Sequence, residues 1–397
     1  MPALQILVLN QISPAGLKRL PEAGYKLAKE CASPDAILLR SQDLHAFAIA
    51  PSVKAVGRAG AGTNNIPVDA LSRRGVPVFN TPGANANAVK ELVLAGMLLA
   101  ARNLPGALRF AHGLAGNAAA IEHAVESGKK SYAGIELAHH TLGVIGLGKV
   151  GCLVADAAIR LGMQVLGYDP DITVDAAWSL PAQVKKAHSI EELLKASDFV
   201  TLHVPLLDVT RHLIRRASVE KMKRGAVLLN FSRDAVVDEA AVVHALAERT
   251  LKYYVCDFPS PALAGAEGVI VLPHLGASTR EAEENCAVMV VDQVRDYLEH
   301  GNIRNAVNFP DVVMSREAPF RVAIANANVP NMLGQISTAM AKAGLNIHNM
   351  MNKSRGDMAY TLVDVDSPVD ASVVAALAAI PGVLSVRYVP LETASRG

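Results

Sequence analysis

The stretch GVIGLGKVG, residues 143–151, is the clearest indication of the fold of this chain. It carries Gly146, Gly148 and Gly151 in the spacing G-x-G-x-x-G, after an apolar strand pattern and at the start of a helix pattern. The first glycine permits a tight turn, the second lets the backbone approach a pyrophosphate, and the third lets helix and strand pack closely. The free N–H groups at the start of that helix then face the phosphates. The stretch therefore predicts a dinucleotide-binding domain built on a parallel sheet.

An acidic residue follows the glycine stretch at the distance that such a domain requires. Asp169 ends the next strand pattern, eighteen residues after Gly151. A carboxylate at this position accepts hydrogen bonds from the ribose hydroxyls of NAD and repels the 2′-phosphate of NADP. We therefore expect NAD as the cofactor, the alternative being that Asp169 only begins the turn Asp-Pro-Asp.

The pattern of apolar runs extends outward from this site in both directions and predicts an α/β fold. Strands of a six-stranded doubly wound sheet are expected at 141–146, 164–168, 198–204, 226–230, 253–256 and 268–272. A second set of strand patterns precedes them at 4–9, 36–40, 53–57 and 76–79, with amphipathic helical segments at 14–22 and 41–49 and a long apolar helix at 86–101. Alternation of this kind is typical of βα units on a parallel sheet. Two Rossmann-like doubly wound lobes are thus expected, with a helix at 279–300 and a final segment at 305–310 that return the chain to the first lobe.

The last part of the chain has a different pattern. After a linker at 311–319, strand and helix patterns follow in the order βαββαβ, which is the ferredoxin-like arrangement. The sequence therefore predicts three domains: a discontinuous lobe of residues 1–97 and 286–312, a dinucleotide-binding domain of residues 98–285, and a small domain of residues 318–397.

Composition excludes several classes of function. The chain has 397 residues with 38 basic and 37 acidic side chains, a net charge of +1 that offers no footprint for nucleic acid or an anionic membrane. Its four cysteines are scattered, so neither a disulfide framework nor a metal site is expected. The first residues lack a signal-peptide pattern, and the longest apolar run, 92–101, is too short to cross a bilayer. We expect a cytoplasmic protein with a small-molecule substrate and without a nucleic-acid or membrane partner.

Two side chains at predicted strand ends have the chemistry of a nicotinamide-dependent alcohol oxidation. Such a reaction needs an acid/base for the hydroxyl proton and a cation for a carboxylate or carbonyl. His274 and Arg233 each stand in a polar segment after a buried strand, where ligands of doubly wound sheets bind. A single histidine or arginine at such a place is more often structural. Their joint position after a complete nucleotide motif favours the catalytic interpretation.

The chain resembles the D-isomer-specific 2-hydroxyacid dehydrogenase family in five segments spread over both lobes: GRAGAGTNNI (57–66), FNTPGANANAVKEL (79–92), GVIGLGKVG (143–151), NFSRDAVVDE (230–239) and PHLGAST (273–279). The resemblance implies that Arg233 binds the substrate carboxylate and that His274 is the acid/base. It assigns to the substrate the residues Arg58, Ala59, Gly60, Asn85 and Lys90, of which Arg58, Asn85 and Lys90 would meet a phosphate. It assigns to NAD the residues Thr81, Gly146, Gly148, Lys149, Val150, Gly151, Asp169, Val204, Ser232, Asp257 and Gly276.

Two departures from the family pattern stand next to the catalytic candidates. The family has Arg-Gly where this chain has Arg233-Asp234. The family also places a glutamate, the partner of its histidine, in a stretch that here reads Cys-Asp-Phe-Pro-Ser-Pro-Ala over residues 256–262. Glu267 could substitute only if its loop turns inward, and an exposed glutamate is the commoner case. We expect the reaction to persist with an altered pH profile, its oxidation rate rising between pH 6 and 9.

Residues 320–397 resemble an ACT domain, a small-molecule sensor that often binds amino acids between paired copies. The resemblance implies Asn326, Asn328 and Asn346 as effector contacts, with L-serine as the first ligand to test. It also implies a homodimer or homotetramer. The alternative is a dimerisation module whose asparagines only cap and turn the chain.

These observations lead to one expected activity and two alternatives. The resemblance implies NAD-dependent oxidation of D-3-phosphoglycerate to 3-phosphohydroxypyruvate, which opens L-serine biosynthesis. Another D-2-hydroxyacid dehydrogenase, acting on glyoxylate, hydroxypyruvate or erythronate 4-phosphate, is the enzymatic alternative. A non-catalytic dinucleotide sensor is the alternative of a different class, and the missing glutamate is its only support.

Overall fold

The computed structural model describes residues 3–391, which form two compact units. The first unit contains the chain up to Ala84 and again from Glu283 onward, and the second contains Asn85–Ala282. Each unit is built around its own parallel sheet.

The N-terminal part of the first unit is a five-stranded parallel sheet in the order β2-β1-β3-β4-β5. Its strands are β1 (Leu4–Val8), β2 (Tyr25–Ala28), β3 (Ala36–Leu39), β4 (Ala55–Arg58) and β5 (Val78–Phe79), and its helices are α1 (Pro14–Leu17) and α2 (Val68–Arg73). The sequence did not predict β2, and the helical segment expected at 14–22 is a single turn. The segment at 41–49 contains no helix because Asn65 holds it from outside, donating to the Gln42 carbonyl and accepting from the Leu44 N–H.

The second unit is a seven-stranded parallel sheet in the order β12-β11-β10-β9-β6-β7-β8. Its helices are α3 (Ala86–Ala101), α4 (Leu104–His112), α5 (Ala118–Gly128), α6 (Lys149–Arg160), α7 (Val174–Ser179), α8 (Ile190–Ala196), α9 (Arg216–Val219) and α10 (Glu239–Ala247). Its strands are β6 (Thr141–Ile145), β7 (Gln164–Tyr168), β8 (Lys185–Lys186), β9 (Phe199–Leu202), β10 (Ala226–Asn230), β11 (Leu251–Cys256) and β12 (Val269–Val271). The prediction of six strands missed β8, two lysines whose exposed side chains give no strand pattern.

Helices cover both faces of this second sheet. The apolar faces of α3 and α6 pack on one side, together with Leu142, Val144 and Leu229. The helices α8, α9 and α10 pack on the other side, against a cluster that includes Ile145 and Leu228. Because both faces are buried, the central strands are continuous apolar runs, and their polar ends stand out clearly in the sequence.

The chain returns to the first unit through the long helix α11 (Arg280–His300) and continues into a C-terminal antiparallel sheet, here called the tail. The tail is composed of β13 (Phe320–Ala327), α12 (Met332–Lys342), β14 (Ile347–Arg355), β15 (Met358–Val365), α13 (Ala371–Ala378) and β16 (Val383–Pro390). Its strand order is β14-β15-β13-β16, and its element order is the βαββαβ that the sequence predicts. Asn331 begins α12 with a φ of 62°, a left-handed conformation that asparagine tolerates.

The boundaries of the compact units differ from the predicted domain boundaries. The predicted break at 97/98 lies inside α3, and the whole of α3 belongs to the second unit because it packs on α6, β10 and β11. The tail, predicted as a separate domain, is grouped with the first unit.

Three arginines explain why the tail belongs with the first unit. The last carbonyl groups of a helix have no partner within the helix. At the end of α11 these carbonyls accept hydrogen bonds from guanidinium groups: Tyr297 and Leu298 from Arg387, Glu299 from Arg316, and His300 from Arg321. The Arg387 guanidinium also lies 4.4 Å from the centre of the Tyr297 ring. The tail thereby caps α11.

One of these arginines forms an ion pair that is fully buried. Arg321 donates from Nε to Asp364 Oδ1 at 2.5 Å and from Nη2 to Asp364 Oδ2 at 2.9 Å. Its remaining N–H groups reach the carbonyls of His300, Met314 and Ser315, each at 3.0 Å. Neither charged side chain has any exposed surface. All five N–H groups of Arg321 are therefore used within the protein.

Within residues 3–391, no single helix is both long and apolar enough to cross a membrane. Only α3 and α4 taken together meet that length and composition, and they are bent by 69° at their junction.

Candidate active site

The glycine stretch between β6 and α6 has the geometry of a nucleotide cradle. Gly146 has a φ of 93°, and a Cβ placed on it would lie 2.7 Å from the His203 carbonyl oxygen. A Cβ on Gly151 would lie 2.0 Å from the Gly146 carbonyl oxygen. By contrast, no atom lies within 4 Å of the position that a Cβ on Gly148 would take. Two glycines are therefore needed for the fold, and the third keeps the backbone open to a ligand.

Asp169 ties the end of β7 to this loop. Its Oδ2 accepts the Leu147 N–H at 2.8 Å, and its Oδ1 accepts the Asp171 N–H at 3.0 Å. A carboxylate oxygen has a second lone pair, so both oxygens can still accept a hydroxyl. Lys149 is exposed, and Val204 after β9 is half-buried. The residues fit the adenosine and pyrophosphate parts of a dinucleotide.

A buried asparagine shapes the loop that carries Arg233. Asn230 ends β10, is fully buried, and donates from Nδ2 to the Arg233 carbonyl at 2.8 Å. Its Oδ1 accepts the Ser232 hydroxyl at 2.9 Å and the Ser232 N–H at 3.2 Å. The Arg233 side chain is exposed, and its Nη1 donates to the Ser232 carbonyl at 2.6 Å. The loop is fixed while the guanidinium faces outward.

A buried carboxylate shapes the loop that carries His274. Asp257 follows β11, and its two oxygens accept the N–H groups of Leu275 and Gly276, each at 2.7 Å. His274 itself is exposed and has a φ of 59°, a left-handed conformation that is uncommon for a residue with a side chain. The sequence predicts Asp257 and Gly276 as cofactor residues, and in the structure both hold the His274 loop.

The strand order brings these loops to one edge of the second sheet. Arg233 follows β10 and His274 follows β12, with β11 and Asp257 between them. Because all these strands are parallel, their carboxyl ends share an edge with the glycine loop after β6. The two catalytic candidates are thus separated by one strand.

Among the described residues, no carboxylate takes the place of the glutamate that the family pattern has and that this chain lacks over residues 256–262. Within residues 3–391, no carboxylate oxygen lies within 4.0 Å of a His274 ring nitrogen. Glu267 is exposed and lies by Tyr253, where burial raises the pKa of the tyrosine and the Glu267 charge adds to that effect. The His274 ring instead meets Phe258, with the ring centres 5.4 Å apart and the planes at 86°. Asp234, the other departure, is exposed and begins a short 3-10 turn.

The first unit holds its own group of predicted residues at the ends of β4 and β5. The Arg58 Nε donates to the Arg40 carbonyl at 3.1 Å, and a Cβ on Gly60 would lie 2.3 Å from Arg58 Nη1. The Thr81 N–H donates to the Gly60 carbonyl at 3.1 Å, which joins the two loops. The Thr81 hydroxyl is buried and has no hydrogen-bond partner in the described part of the chain. Ala59 is buried beside it.

The remaining substrate candidates lie at the start of α3, in the second unit. Asn85 is the residue before the helix, and its side chain makes no capping hydrogen bond. Lys90 donates from Nζ to Asn87 Oδ1 at 2.6 Å and is 3.8 Å from the Glu91 carboxylate. The positive charge of Lys90 is therefore partly compensated by its own helix.

The structure does not bring the three tail asparagines together in one chain. Asn326 is buried near the end of β13, and its Oδ1 has no partner among residues 3–391. Asn328 follows it and donates to the Gly356 carbonyl. Asn346 instead pairs with Asp366, beyond the opposite end of β13. Six residues of strand separate the two ends, about 20 Å.

Sequence reasoning missed two residues of this region, Asn230 and Phe258. Asn230 could have been noticed as a polar residue that ends a wholly apolar strand. Phe258 gave no signal, because an aromatic residue after a strand is ordinary. The ring of another histidine, His203, is hydrogen-bonded to Thr201 Oγ1 at 3.0 Å, and burial lowers its pKa to about 3, which favours the neutral imidazole.

Comparison with known proteins gives the family. Residues 97–276 match the model of the D-isomer specific 2-hydroxyacid dehydrogenase NAD-binding domain. The chain is 34% identical over 351 residues to a D-3-phosphoglycerate dehydrogenase of Haemophilus influenzae, covering 85% of this chain and 82% of that protein. It is 33% identical over 363 residues to one of Methanocaldococcus jannaschii, covering 86% of this chain. The chain spans 66% of the length of this archaeal relative and 60% of one from Archaeoglobus fulgidus.

Solved structures agree with this placement. An NAD-bound 3-phosphoglycerate dehydrogenase from Entamoeba histolytica covers 77% of this chain over 98% of its own, with a TM-score of 0.60 and 25% identity. A glyoxylate reductase from Paecilomyes thermophila covers 77% of this chain over 99% of its own, with a TM-score of 0.63 and 26% identity. The glycine cradle, Asp169 and these matches identify the second unit as an NAD-binding domain, and the chain belongs to the D-isomer-specific 2-hydroxyacid dehydrogenase family.

Proposed function

We propose that the protein oxidises D-3-phosphoglycerate to 3-phosphohydroxypyruvate with NAD. One observation carries the proposal: Arg233 and His274 are exposed at the edge of the sheet that also presents the nucleotide cradle. The relatives named D-3-phosphoglycerate dehydrogenase support the choice of substrate. Bound NAD⁺ supplies the acceptor for the hydride that leaves the hydroxyl-bearing carbon.

The two exposed side chains divide the work of the reaction. The His274 imidazole accepts the hydroxyl proton during oxidation and returns it during reduction. The Arg233 guanidinium binds the carboxylate beside the reacting carbon through two parallel N–H groups. Its single described hydrogen bond, to its neighbour's carbonyl, leaves other N–H groups for that carboxylate.

Phosphate recognition is assigned to residues of each unit separately. A phosphate carries nearly two negative charges at neutral pH, and guanidinium and ammonium groups are its usual partners. We assign Arg58 in the first unit, and Asn85 with Lys90 in the second, to the phosphate. The N–H groups at Ala59 and Gly60 are assigned to the carboxylate.

An initial-rate assay of NADH loss tests the proposal. The wild-type chain is given 3-phosphohydroxypyruvate, hydroxypyruvate or glyoxylate at equal concentration. We expect strong preference for the phosphorylated ketoacid. Equal or faster reduction of glyoxylate would make the protein a general 2-hydroxyacid reductase, in agreement with its glyoxylate reductase neighbour. No turnover with any of the three would favour a dinucleotide sensor.

The tail is proposed to be an ACT domain that binds an amino acid between two copies. The orphan Oδ1 of buried Asn326 supports a polar ligand at this end of β13. Because Asn346 lies at the other end, a site with all three asparagines requires a second tail. L-serine is the proposed effector, and inhibition by added serine in the same assay is its test.

A homodimer or homotetramer is proposed on similar grounds. Neither α4 nor α5 contains a buried residue, although α4 presents Leu104 and Leu108. Exposed apolar helices of this kind are usual at subunit interfaces. Sedimentation at several protein concentrations gives the number of subunits.

The cytoplasm is the proposed location, because all four cysteines are free thiols.

A further inference from the structure

The backbone that carries His274 is rigid, but this does not fix the direction of its ring. Asp257 holds the two N–H groups that follow His274, and the Ser278 hydroxyl reaches the His274 carbonyl at 3.4 Å. These bonds set the Cα–Cβ direction. Rotation about the side-chain bonds of an exposed histidine remains free unless something contacts the ring.

Among the described residues, neither Glu239 nor Glu267 forms an ion pair with His274. Glu239 is engaged by the Ser260 hydroxyl at 2.7 Å, and Glu267 lies beside Tyr253. The described contact of the His274 ring is the nearly perpendicular ring of Phe258 at 5.4 Å. This distance and angle are those of an attractive edge-to-face aromatic pair.

We propose that Phe258 is the positioning residue of His274 and that an aromatic contact, and no carboxylate, orients the imidazole in this chain. The inference rests on the proposed function, because it presumes that His274 is the acid/base. Phe258 is half-buried against the core under the sheet, so its own ring is held in place. It has no charge, and so it limits the rotation of the imidazole without adding a second titrating group to the site.

The inference predicts a particular pattern of kinetic change. The full-length Phe258→Ala variant is expected to lose about tenfold in kcat, the effect of a misdirected catalytic group. The pH midpoint of kcat/KM is expected to remain that of the wild type, because no charge is removed. Phe258→Tyr keeps the ring and is expected to restore the rate. Phe258→Leu fills the volume without a ring and is expected to behave like Phe258→Ala.

A matched control separates positioning from general stability. Phe110 forms a comparable aromatic pair with Tyr132, at 5.2 Å, elsewhere in the second unit. Phe110→Ala removes an aromatic contact of different angle, 32°, on α4, so sedimentation first checks that the variant keeps the wild-type number of subunits, and its kcat is then expected to be unchanged. Wild-type kcat in Phe258→Ala and Phe258→Leu would overturn the inference. A shifted pH midpoint in Glu239→Gln or Glu267→Gln would also overturn it, since a carboxylate would then be the partner.

A spectroscopic measurement keeps this inference distinct from the proposed function. The ring of Phe258 is expected to shift the NMR resonance of the His274 Cε1 proton. That resonance is identified by its absence from the His274→Gln spectrum. Loss of that shift in Phe258→Ala is expected whether or not the enzyme turns over. An unchanged resonance would overturn the inference. Wild-type activity in His274→Gln would instead overturn the assignment of the acid/base.

Discussion

Arg233 and Arg321 show two opposite uses of the same side chain. Arg233 lies at the carboxyl edge of the second sheet, is exposed, and makes a single described hydrogen bond, to a neighbouring carbonyl. Arg321 lies within β13, has no exposed surface, and uses all its N–H groups on Asp364 and three carbonyls. Among the described residues, the charge proposed to meet a substrate has no ion-pair partner, whereas the charge that holds the fold is completely paired.

In this chain, the buried charge contributes to stability, and the exposed charge is the one proposed to contribute to function. A buried charge without its partner is strongly destabilising, because its desolvation is not repaid by other bonds. An exposed charge without a partner costs little, since water replaces the missing bonds. Removing the buried charge is expected to lower stability and to spare activity, whereas removing the exposed charge is expected to lower activity and to spare stability. Four substitutions test this, in order of decreasing expected effect.

Asp364→Asn is expected to have the largest effect. It leaves the Arg321 guanidinium buried without a counter-charge, which typically lowers the free energy of unfolding by about 3–5 kcal/mol. Denaturant titration measures the loss, and activity per folded molecule is expected to be retained. Loss of activity without loss of stability would contradict the structural role of the Arg321–Asp364 pair.

Arg233→Met is expected to show the converse. It removes the group proposed to bind the substrate carboxylate, and kcat/KM is expected to fall by about 10²–10³. The free energy of unfolding is expected to change by no more than about 0.5 kcal/mol. A marked drop in the melting temperature would mean that Arg233 also supports the fold.

Asp198→Asn examines a partly buried charge between these extremes. Burial opposes ionisation of Asp198, but the Lys223 ammonium and the Thr141 N–H, both at 2.8 Å, outweigh it and hold its pKa below the usual value. The ionised form therefore stabilises the fold above the unfolded pKa, and this contribution is lost as the pH falls through the folded pKa. We expect Asp198→Asn to lower the free energy of unfolding by about 1 kcal/mol at pH 7. This difference from the wild type is expected to become smaller below about pH 4. Denaturant titration at pH 7 and pH 3 measures both values, and an equal loss at the two would contradict the ionic explanation.

Arg216→Ala is expected to change least. Its pair with Glu220, at 3.1 Å, joins two side chains that are 70% and 62% exposed. Such pairs contribute about 0.5 kcal/mol or less, and salt reduces even that. Measurements of the free energy of unfolding in low and high salt, together with kcat, show whether this substitution affects stability or activity.

The sequence predicts the NAD-binding sheet well because the chemistry there depends on short-range order. Gly151 is required by the Gly146 carbonyl five residues before it and Gly146 by its own φ of 93°, while Arg233 and His274 each follow a short apolar run, at β10 and β12. Each of these signals lies in a window of about ten residues, so no distant contact is needed to read it.

Features that depend on distant partners could not be predicted in the same way. The ion pair of Arg321 with Asp364 exists only because β13 and β15 pair in one register, in which these two residues are opposite. Segment 41–49 has an amphipathic pattern, yet Asn65 and Asn10 hold it as a loop. The contact of Phe258 with His274 joins the ends of two strands whose order no local pattern reveals.

The three guanidinium groups at the end of α11 also determine how the molecule is expected to melt. A domain with few bonds to its neighbours can unfold separately, and heating then gives a separate calorimetric peak for it. Here the carbonyls of Tyr297, Leu298, Glu299 and His300 would lose their partners if the tail unfolded alone. The tail and the N-terminal sheet are thus expected to melt in one transition, so that a chain with three sequence modules has two thermodynamic domains.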